Sequence, residues 1–203
     1  MSFPTGSVSA WFGRGRGQDA RLLDEWRAAP VNYTAGNSLD RFWNTDHYDV
    51  MLGKDNPDHL FERACALVMR NRFYPADVME AVSDFSLAHR TVQKGDRVVQ
   101  RIRVLSLVGL PILEVLTMNE ITRVVDEADR KGFTYSTTQV HSEIGEWSPS
   151  VERHADGSVR LRIDVISRAR PEMSQRSRAF TRRMQLRAHR LSILHFQRLL
   201  QNA

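Results

Sequence analysis

The chain has 203 residues, of which 41% are apolar and 26% are charged, and its formal net charge is +5. This length and balance are typical of one soluble domain with a sizeable core. No run of 18 apolar residues occurs, which excludes a transmembrane helix. The single cysteine, Cys65, lies among apolar positions, so we expect a buried thiol, no internal disulfide and a cytoplasmic location.

The positive charge is concentrated toward the end of the sequence. From Arg168 onward there are nine arginines and a single acidic residue, Glu172. Such a segment favours nucleic acid, an acidic membrane surface or an anionic ligand, or it forms the solvated outer face of an amphipathic helix. Because no nucleic-acid-binding motif accompanies the charge, we favour the solvated face and expect no nucleic-acid partner.

The beginning of the chain predicts a leader and a short helix. Residues 1–17 are rich in Gly, Ser and Arg and lack hydrophobic periodicity, which predicts a flexible leader. The remaining residues, 18–203, are predicted to form a single domain. A helix is expected over 18–28, because Leu22 and Trp26 fall on one side of it.

A strand and a second helix are predicted next. The side chains of residues 48–52 alternate in character enough to predict a first strand, which ends at Gly53. Asn56 followed by Pro57 is typical of a helix start, because Asn caps the first amides and proline suits the first helical position. We expect this helix to run to about Arg72.

From 78 to 168 the apolar pattern changes from helical spacing to a period of two, which is typical of an antiparallel sheet with one buried face. The clearest case is Val159, Leu161, Ile163 and Val165 alternating with Ser158, Arg160, Arg162 and Asp164. Upstream, Arg97, Arg101 and Arg103 are expected to share the solvent-facing side of a strand. A turn signal at 154–157 predicts a hairpin, and we count six or seven strands in all.

A long helix is predicted at roughly 172–201, which corresponds to a rod of about 45 Å. Its stripe toward the sheet is expected to hold Met173, Phe180, Met184, Ala188, Leu191 and His195, with Arg178, Arg182 and Arg190 pointing away. The predicted class is therefore α+β, with a helix-grip (START/SRPBCC-like) architecture: a curved antiparallel sheet around a long C-terminal helix. Such a fold leaves a cavity unless large side chains fill it.

Two short motifs give the sequence a family resemblance. Residues 132–137 read Gly-Phe-Thr-Tyr-Ser-Thr, and residues 141–146 read His-Ser-Glu-Ile-Gly-Glu. This succession resembles the signature of DUF1990, a family of uncharacterised proteins, in which a glycine is usual where Ser136 stands. The similarity covers roughly 29–200. It implies the START-like fold and supplies no activity.

The second motif contains the candidate catalytic residues. His141 and Glu143 are two apart on a predicted strand, so their side chains share a face, and they are suited to acid/base chemistry. Glu146 joins them only if a bulge at Gly145 turns it round. The alternative is a structural ladder, in which the two glutamates pair with arginines of the neighbouring strand, such as those at 160 and 162.

Four aromatic residues are candidate ligand contacts. Tyr135 is placed to donate a hydrogen bond to a ligand carbonyl, and Trp147 is the best candidate for an aromatic wall, while Tyr48 and Trp43 are expected near the pocket mouth. We expect no metal, because the paired histidines or cysteines of a zinc site are absent. No nucleotide-binding loop appears either, so no cofactor is expected.

Three functions remain open at this point. The first is a binding domain for a hydrophobic or amphipathic metabolite in a cavity between sheet and helix. The second is a cofactor-free enzyme, such as a cyclase, dehydratase or isomerase of a polyketide-like substrate, that uses the same residues. The third makes the arginine-rich helix a basic module for nucleic acid or an acidic membrane surface. The sequence does not fix the oligomeric state.

Overall fold

The computed structural model describes residues 9–11, 19–34, 42–55, 59–107 and 110–202. In chain order the elements are β1 (Ser9–Trp11), α1 (Asp19–Glu25), β2 (Asn44–Lys54), α2 (Leu60–Val68), β3 (Met79–Ser83), α3 (Asp84–Leu87), β4 (Arg97–Leu107), β5 (Leu110–Asp126), β6 (Arg130–Thr137), β7 (Glu143–Arg153), β8 (Ser158–Ala169) and α4 (Gln175–Gln201).

Seven strands form one antiparallel sheet in the order β2-β8-β7-β6-β5-β4-β3, and β1 pairs with the first half of β5. The long helix α4 closes the concave side of this sheet. The predicted α+β helix-grip class is therefore confirmed. Within the described ranges, no helix is both long and apolar enough to cross a membrane.

Two predictions for the first part of the chain fall mostly outside the described residues. The leader expected at 1–17 is described only at Ser9–Trp11, which form β1 and pair with β5. The proposed helix cap at Asn56 and Pro57 lies wholly outside them. The helix itself is present as α2, which begins at Leu60 and ends at Val68.

The predicted alternation in β8 is confirmed. Val159, Leu161 and Ile163 are fully buried, while the arginines between them remain partly accessible. The strand pairs with β2 on one side and β7 on the other, and β7 and β8 form the predicted hairpin. Gly157 in its turn has a φ of +77°, which glycine adopts without strain.

One end of the space between sheet and helices is filled by large side chains. Phe73 stacks on Phe196 of α4 with ring centroids 5.1 Å apart and meets the edge of Trp147 at 4.8 Å. Phe61 of α2 joins the same core. These rings occupy the volume under α2 and the second half of α4, and a cavity lies under the first half of α4.

The convex face carries a second, smaller core beneath α1. There Leu23 packs with Val99, Leu116 and Met118. The prediction that Arg101 faces solvent is wrong: its side chain is buried and pairs with Asp19 of α1 and with Glu114 of β5. The alternation along β4 placed Arg101 on the correct face, but it could not reveal that α1 covers that face.

The inward stripe of α4 differs from the predicted one by about one residue in its second half. Leu191 and His195 are only half-buried, whereas the neighbouring Ser192 and Phe196 are fully buried. Arg182, expected to point away, is half-buried and pairs with Asp46 of β2. Polar residues at buried positions of this helix obscured the phase of the hydrophobic pattern.

Candidate functional site

A cavity of about 600 Å³ lies between the concave face of the sheet and the first half of α4. Its walls are mainly apolar and include Val78, Ile102, Val115, Val165, Met184 and Ala188. Met173 and Phe180 of the predicted stripe also line it. Polar groups enter from several elements, namely Tyr74, Gln100, Tyr135, His141, Glu143, Gln185 and His189.

His141 lies in the connection between β6 and β7, where the chain turns back on itself. Its backbone N–H donates to the carbonyl of Thr138, and its own carbonyl accepts a hydrogen bond from Arg170 at 2.7 Å. Burial lowers the pKa of His141 to about 3, with a further contribution from the Arg170 charge. The imidazole is therefore neutral at physiological pH.

The tautomer of His141 follows from a local hydrogen bond. The backbone N–H of Glu143 donates to Nδ1 of His141 at 2.9 Å, so this nitrogen carries no proton. A neutral imidazole then has its proton on Nε2. His141 thus lines the cavity as a hydrogen-bond donor.

Glu143 is the first residue of β7 and lines the cavity. Burial raises its pKa to about 7, against a smaller lowering by the Arg182 charge. Among the described residues no salt bridge reaches its carboxylate. Glu143 is therefore an acid that changes its protonation state near neutral pH inside a largely apolar space.

Tyr135 of β6 lies deep in the same space. Its ring stacks on Trp147 with centroids 5.1 Å apart. Burial raises the pKa of Tyr135 to about 12, and hydrogen bonding with Gln100 and Tyr74 opposes this rise. The phenol remains protonated at physiological pH and is available as a donor.

Glu146 is not brought together with the other two candidate catalytic residues. The pairing of β7 with β8 is continuous from Glu143 onward, so no bulge forms at Gly145. Strand alternation then puts the Glu146 side chain on the opposite face from Trp147. Although Glu146 borders the cavity, its carboxylate accepts a hydrogen bond from the Ser136 hydroxyl at 3.5 Å.

The alternative ladder does not form at the two predicted glutamates. The described contacts of Arg160 and Arg162 are with Asp49 and Glu152 respectively. A ladder of this kind therefore exists on the outer face, but it uses Glu152 in place of Glu143 or Glu146.

The three remaining aromatic candidates occupy different surroundings. Trp147 lines the cavity and is also packed in the core, and its indole Nε1 is buried without a hydrogen-bond partner among the described residues. Tyr48 lies one layer behind the cavity wall, where its hydroxyl is 3.2 Å from Nδ1 of His189. Trp43 is outside the cavity and packs against Tyr33, with the Arg168 guanidinium 4.9 Å from its ring centre.

Sequence reasoning missed the polar groups that α4 and β4 contribute. His189 is buried at the cavity wall, and burial lowers its pKa to about 4. Arg182 donates to Asp46 at 2.6 Å and to Gln185 at 2.7 Å, which fixes this helix face against β2. A signal was present: His189 follows the arginine at 182 by two helical turns, so the two share a face.

The family follows from a sequence comparison. The model of the family described as "Domain of unknown function (DUF1990)" matches residues 27–194. The chain belongs to this family. A search of curated proteins found no match.

Solved structures with a similar chain path include three proteins at low identity. Hypothetical protein jhp0584 from Helicobacter pylori is 10% identical, with 82% of this chain and 93% of that chain covered and a TM-score of 0.48. A putative uncharacterized protein from Rhizobium leguminosarum is 9% identical, with coverages of 79% and 99% and a TM-score of 0.45. Ara h 8.0201 is 12% identical, with coverages of 79% and 99% and a TM-score of 0.47. These identities are too low to transfer a function.

The two glycines of the DUF1990 motifs have a structural role in this chain. A Cβ on Gly132 would lie 2.3 Å from the carbonyl oxygen of Pro149, and one on Gly145 would lie 1.9 Å from that of Ile166. Both positions are too close for any side chain. The glycines therefore hold β6, β7 and β8 together, while the polar residues beside them border the cavity.

No group of three or more His, Cys, Asp or Glu in the described part of the chain is arranged to hold a metal ion. The cavity instead presents two neutral donors, Tyr135 and His141, beside the titratable carboxyl of Glu143. This set can hydrogen-bond a polar group of a ligand and can exchange a proton with it.

Proposed function

We propose that this DUF1990 protein binds a small hydrophobic or amphipathic molecule in the cavity between the sheet and α4. The observation that carries this proposal is the cavity itself: about 600 Å³, with mainly apolar walls and a few polar groups. Pockets of this size and composition are typical of small-molecule sites. The large aromatic rings fill the other end of the space between the sheet and α4 and do not occupy this cavity.

The polar groups give the ligand its expected chemistry. Tyr135 and His141 are neutral and offer an O–H and an Nε2–H, so they favour an acceptor such as a carbonyl or hydroxyl oxygen. Glu143 is able to donate when protonated. The rest of the ligand would contact aliphatic and methionine side chains, so we expect a mostly apolar molecule with one oxygen-bearing end.

A pair of tryptophan substitutions on α4 tests this proposal. Ala188 lines the cavity, whereas Ala179 is exposed on the same helix. Wild type and Ala179→Trp should retain a small molecule through purification, detected by mass spectrometry of an organic extract, and should bind an apolar fluorescent probe. Ala188→Trp should lose both. Equal probe binding by the two variants would place the ligand elsewhere and contradict the proposal.

A second candidate, cofactor-free acid/base catalysis in the same cavity, is favoured by one observation. A carboxyl whose pKa lies at about 7 is well matched to general acid/base chemistry at neutral pH, and Glu143 is such a group. His141, held as the Nε2–H tautomer, would then orient or polarise the substrate oxygen.

Glutamine substitutions separate catalysis from binding. If the ligand retained by the wild type is converted over time, Glu143→Gln should abolish turnover while changing affinity little, because the amide keeps the shape and hydrogen-bonding capacity of the acid. His141→Gln should lower turnover as well. Turnover at the wild-type rate in both variants would leave binding as the function and exclude this catalytic version.

A further inference from the structure

The outward face of α4 carries a row of arginines, referred to below as the outer stripe. Its members are Arg176, Arg183, Arg187, Arg190 and Arg198, and all five are exposed. At 100° per residue they fall within about 80° of the helix circumference, and they span about 33 Å along its axis. The stripe is thus narrow and straight, and it lies on the side of α4 away from the fully buried Ser192 and Phe196, with its first turn at the edge of the cavity.

These arginines lack the local neutralisation found elsewhere in the molecule. On the sheet, Arg160 pairs with Asp49, and Arg162 pairs with Glu152. Within the described residues, no member of the outer stripe forms a salt bridge, and α4 contains no acidic residue. Five uncompensated charges at this spacing form a strongly positive surface, which attracts a polyanion.

Two large apolar side chains lie in the same stripe. Phe180 is 52% exposed and Leu194 is 40% exposed, and helical spacing puts both within the arc of the arginines. The phosphates of a nucleic acid gain nothing from an exposed phenyl and an exposed leucyl side chain at these positions. A lipid bilayer uses both features, because headgroups bind arginine while the interface accepts phenyl and leucyl side chains.

We propose that the outer stripe of α4 docks on the surface of an anionic lipid bilayer, with the helix axis parallel to the membrane plane. Arg176 and Phe180 also line the cavity, so docking brings the edge of the cavity against the lipid. The surface interaction itself does not depend on the cavity holding a ligand.

Vesicle binding with charge-matched variants tests this surface. The full chain should partition onto phosphatidylcholine vesicles that contain phosphatidylserine, not onto phosphatidylcholine alone, and the affinity should fall with added salt. The triple change Arg183→Gln, Arg187→Gln, Arg190→Gln should weaken partition about 100-fold, because each arginine near an anionic surface contributes about fivefold. A control with Arg130→Gln, Arg160→Gln and Arg162→Gln has the same net charge and should bind nearly as the wild type does.

A second variant separates a lipid surface from other polyanions. Phe180→Ser with Leu194→Ser should weaken vesicle binding about tenfold or more, because it removes the side chains that enter the interface. It should leave any affinity for duplex DNA unchanged. The proposal is overturned if the wild type fails to bind phosphatidylserine vesicles at low ionic strength, or if the stripe and control variants bind alike. It is also overturned if duplex DNA binds more tightly than vesicles and vesicle binding ignores the apolar substitutions.

Discussion

The two faces of the sheet bury charge in opposite ways. On the convex face, Arg101 donates to Glu114 at 2.7 Å and to both carboxylate oxygens of Asp19, and all three groups are sealed beneath α1. On the concave face, His141 is buried and Glu143 is half-buried beside a cavity, and no salt bridge reaches either of them among the described residues. Both faces contain ionisable groups, but the convex cluster is neutralised internally, whereas the Glu143 carboxyl and the His141 imidazole have no counter-ion among the described residues.

This difference distinguishes polar groups that stabilise the fold from polar groups that are suited to contact a ligand. A buried ion pair with satisfied hydrogen bonds holds two elements in register, here α1 on β4 and β5. A buried titratable group without a counter-ion is costly to the fold unless it is neutral, and such groups next to a cavity are typical of binding and catalytic sites. We therefore assign the convex triad to stability, and the contrast supports the proposed ligand-binding role of the concave groups.

The largest expected effect comes from breaking the convex triad. Arg101→Met should lower the free energy of unfolding by about 3–5 kcal/mol, because it removes the arginine partner of the buried Asp19 and leaves Glu114 with only the longer contact to Arg103, at 3.6 Å. Denaturant unfolding measures this loss. Arg160→Met, which removes an arginine from the outer face of the sheet, should change stability little. A small effect of Arg101→Met would show that α1 separates from the sheet at low cost, and the contrast between the two faces would not hold.

A smaller, pH-dependent effect is expected on the concave face. The pKa of Glu143 is about 7 in the folded chain against an ordinary 4.5, so the folded state holds the proton more tightly. Its contribution to stability is fully present below about pH 4.5 and is lost as pH rises to about 7. The Glu143→Gln variant has no carboxyl at this position and does not suffer this loss. The free energy of unfolding of the variant minus that of the wild type should therefore increase by about 2–3 kcal/mol from pH 4 to pH 8.

The check is denaturant unfolding of both proteins across that range, with Glu172→Gln as the control at an exposed carboxylate. The control measures the general effect of replacing a surface glutamate by glutamine. His141 and His189 have lowered pKa values because of burial, so they remove stability as pH falls below about 6.5, and this effect is present in both proteins. A pH-independent difference for Glu143→Gln would mean that its carboxyl is solvated, and the concave site would lose its titratable acid.

The sequence predicts those parts of this comparison that depend on local pattern. Alternation in β8 and the turn at 154–157 are set by neighbouring residues, and both were correctly predicted. Period two puts Glu143 and Glu146 on opposite faces of β7, and the bulge at Gly145 that would join them does not form in the pairing with β8. The burial of Arg101 depends on α1, some 80 residues away, and no pattern within β4 contains that information.

The same limit applies to the site. Tyr135, His141 and Glu143 come from two adjacent motifs, and Trp147 directly follows the second, so a short stretch of sequence contains all four. His189 comes from another element, and its place on the cavity wall depends on the rotation of α4. That rotation is set by Phe196 and by the pair between α4 and Asp46, which only the folded chain brings into contact.

The smallest expected effect concerns the layer behind the cavity. The Tyr48 hydroxyl lies 3.2 Å from Nδ1 of His189, and the two rings meet edge to face with centroids 5.6 Å apart. Tyr48→Phe keeps the ring contact and removes the hydrogen bond, so it should cost about 1 kcal/mol in thermal or denaturant unfolding. Tyr33 packs against Trp43 outside the cavity, and Tyr33→Phe is the matched control. It should lower the free energy of unfolding by less than Tyr48→Phe does. If the two substitutions are equivalent, His189 does not depend on β2 for its orientation, and the concave wall is held by packing alone.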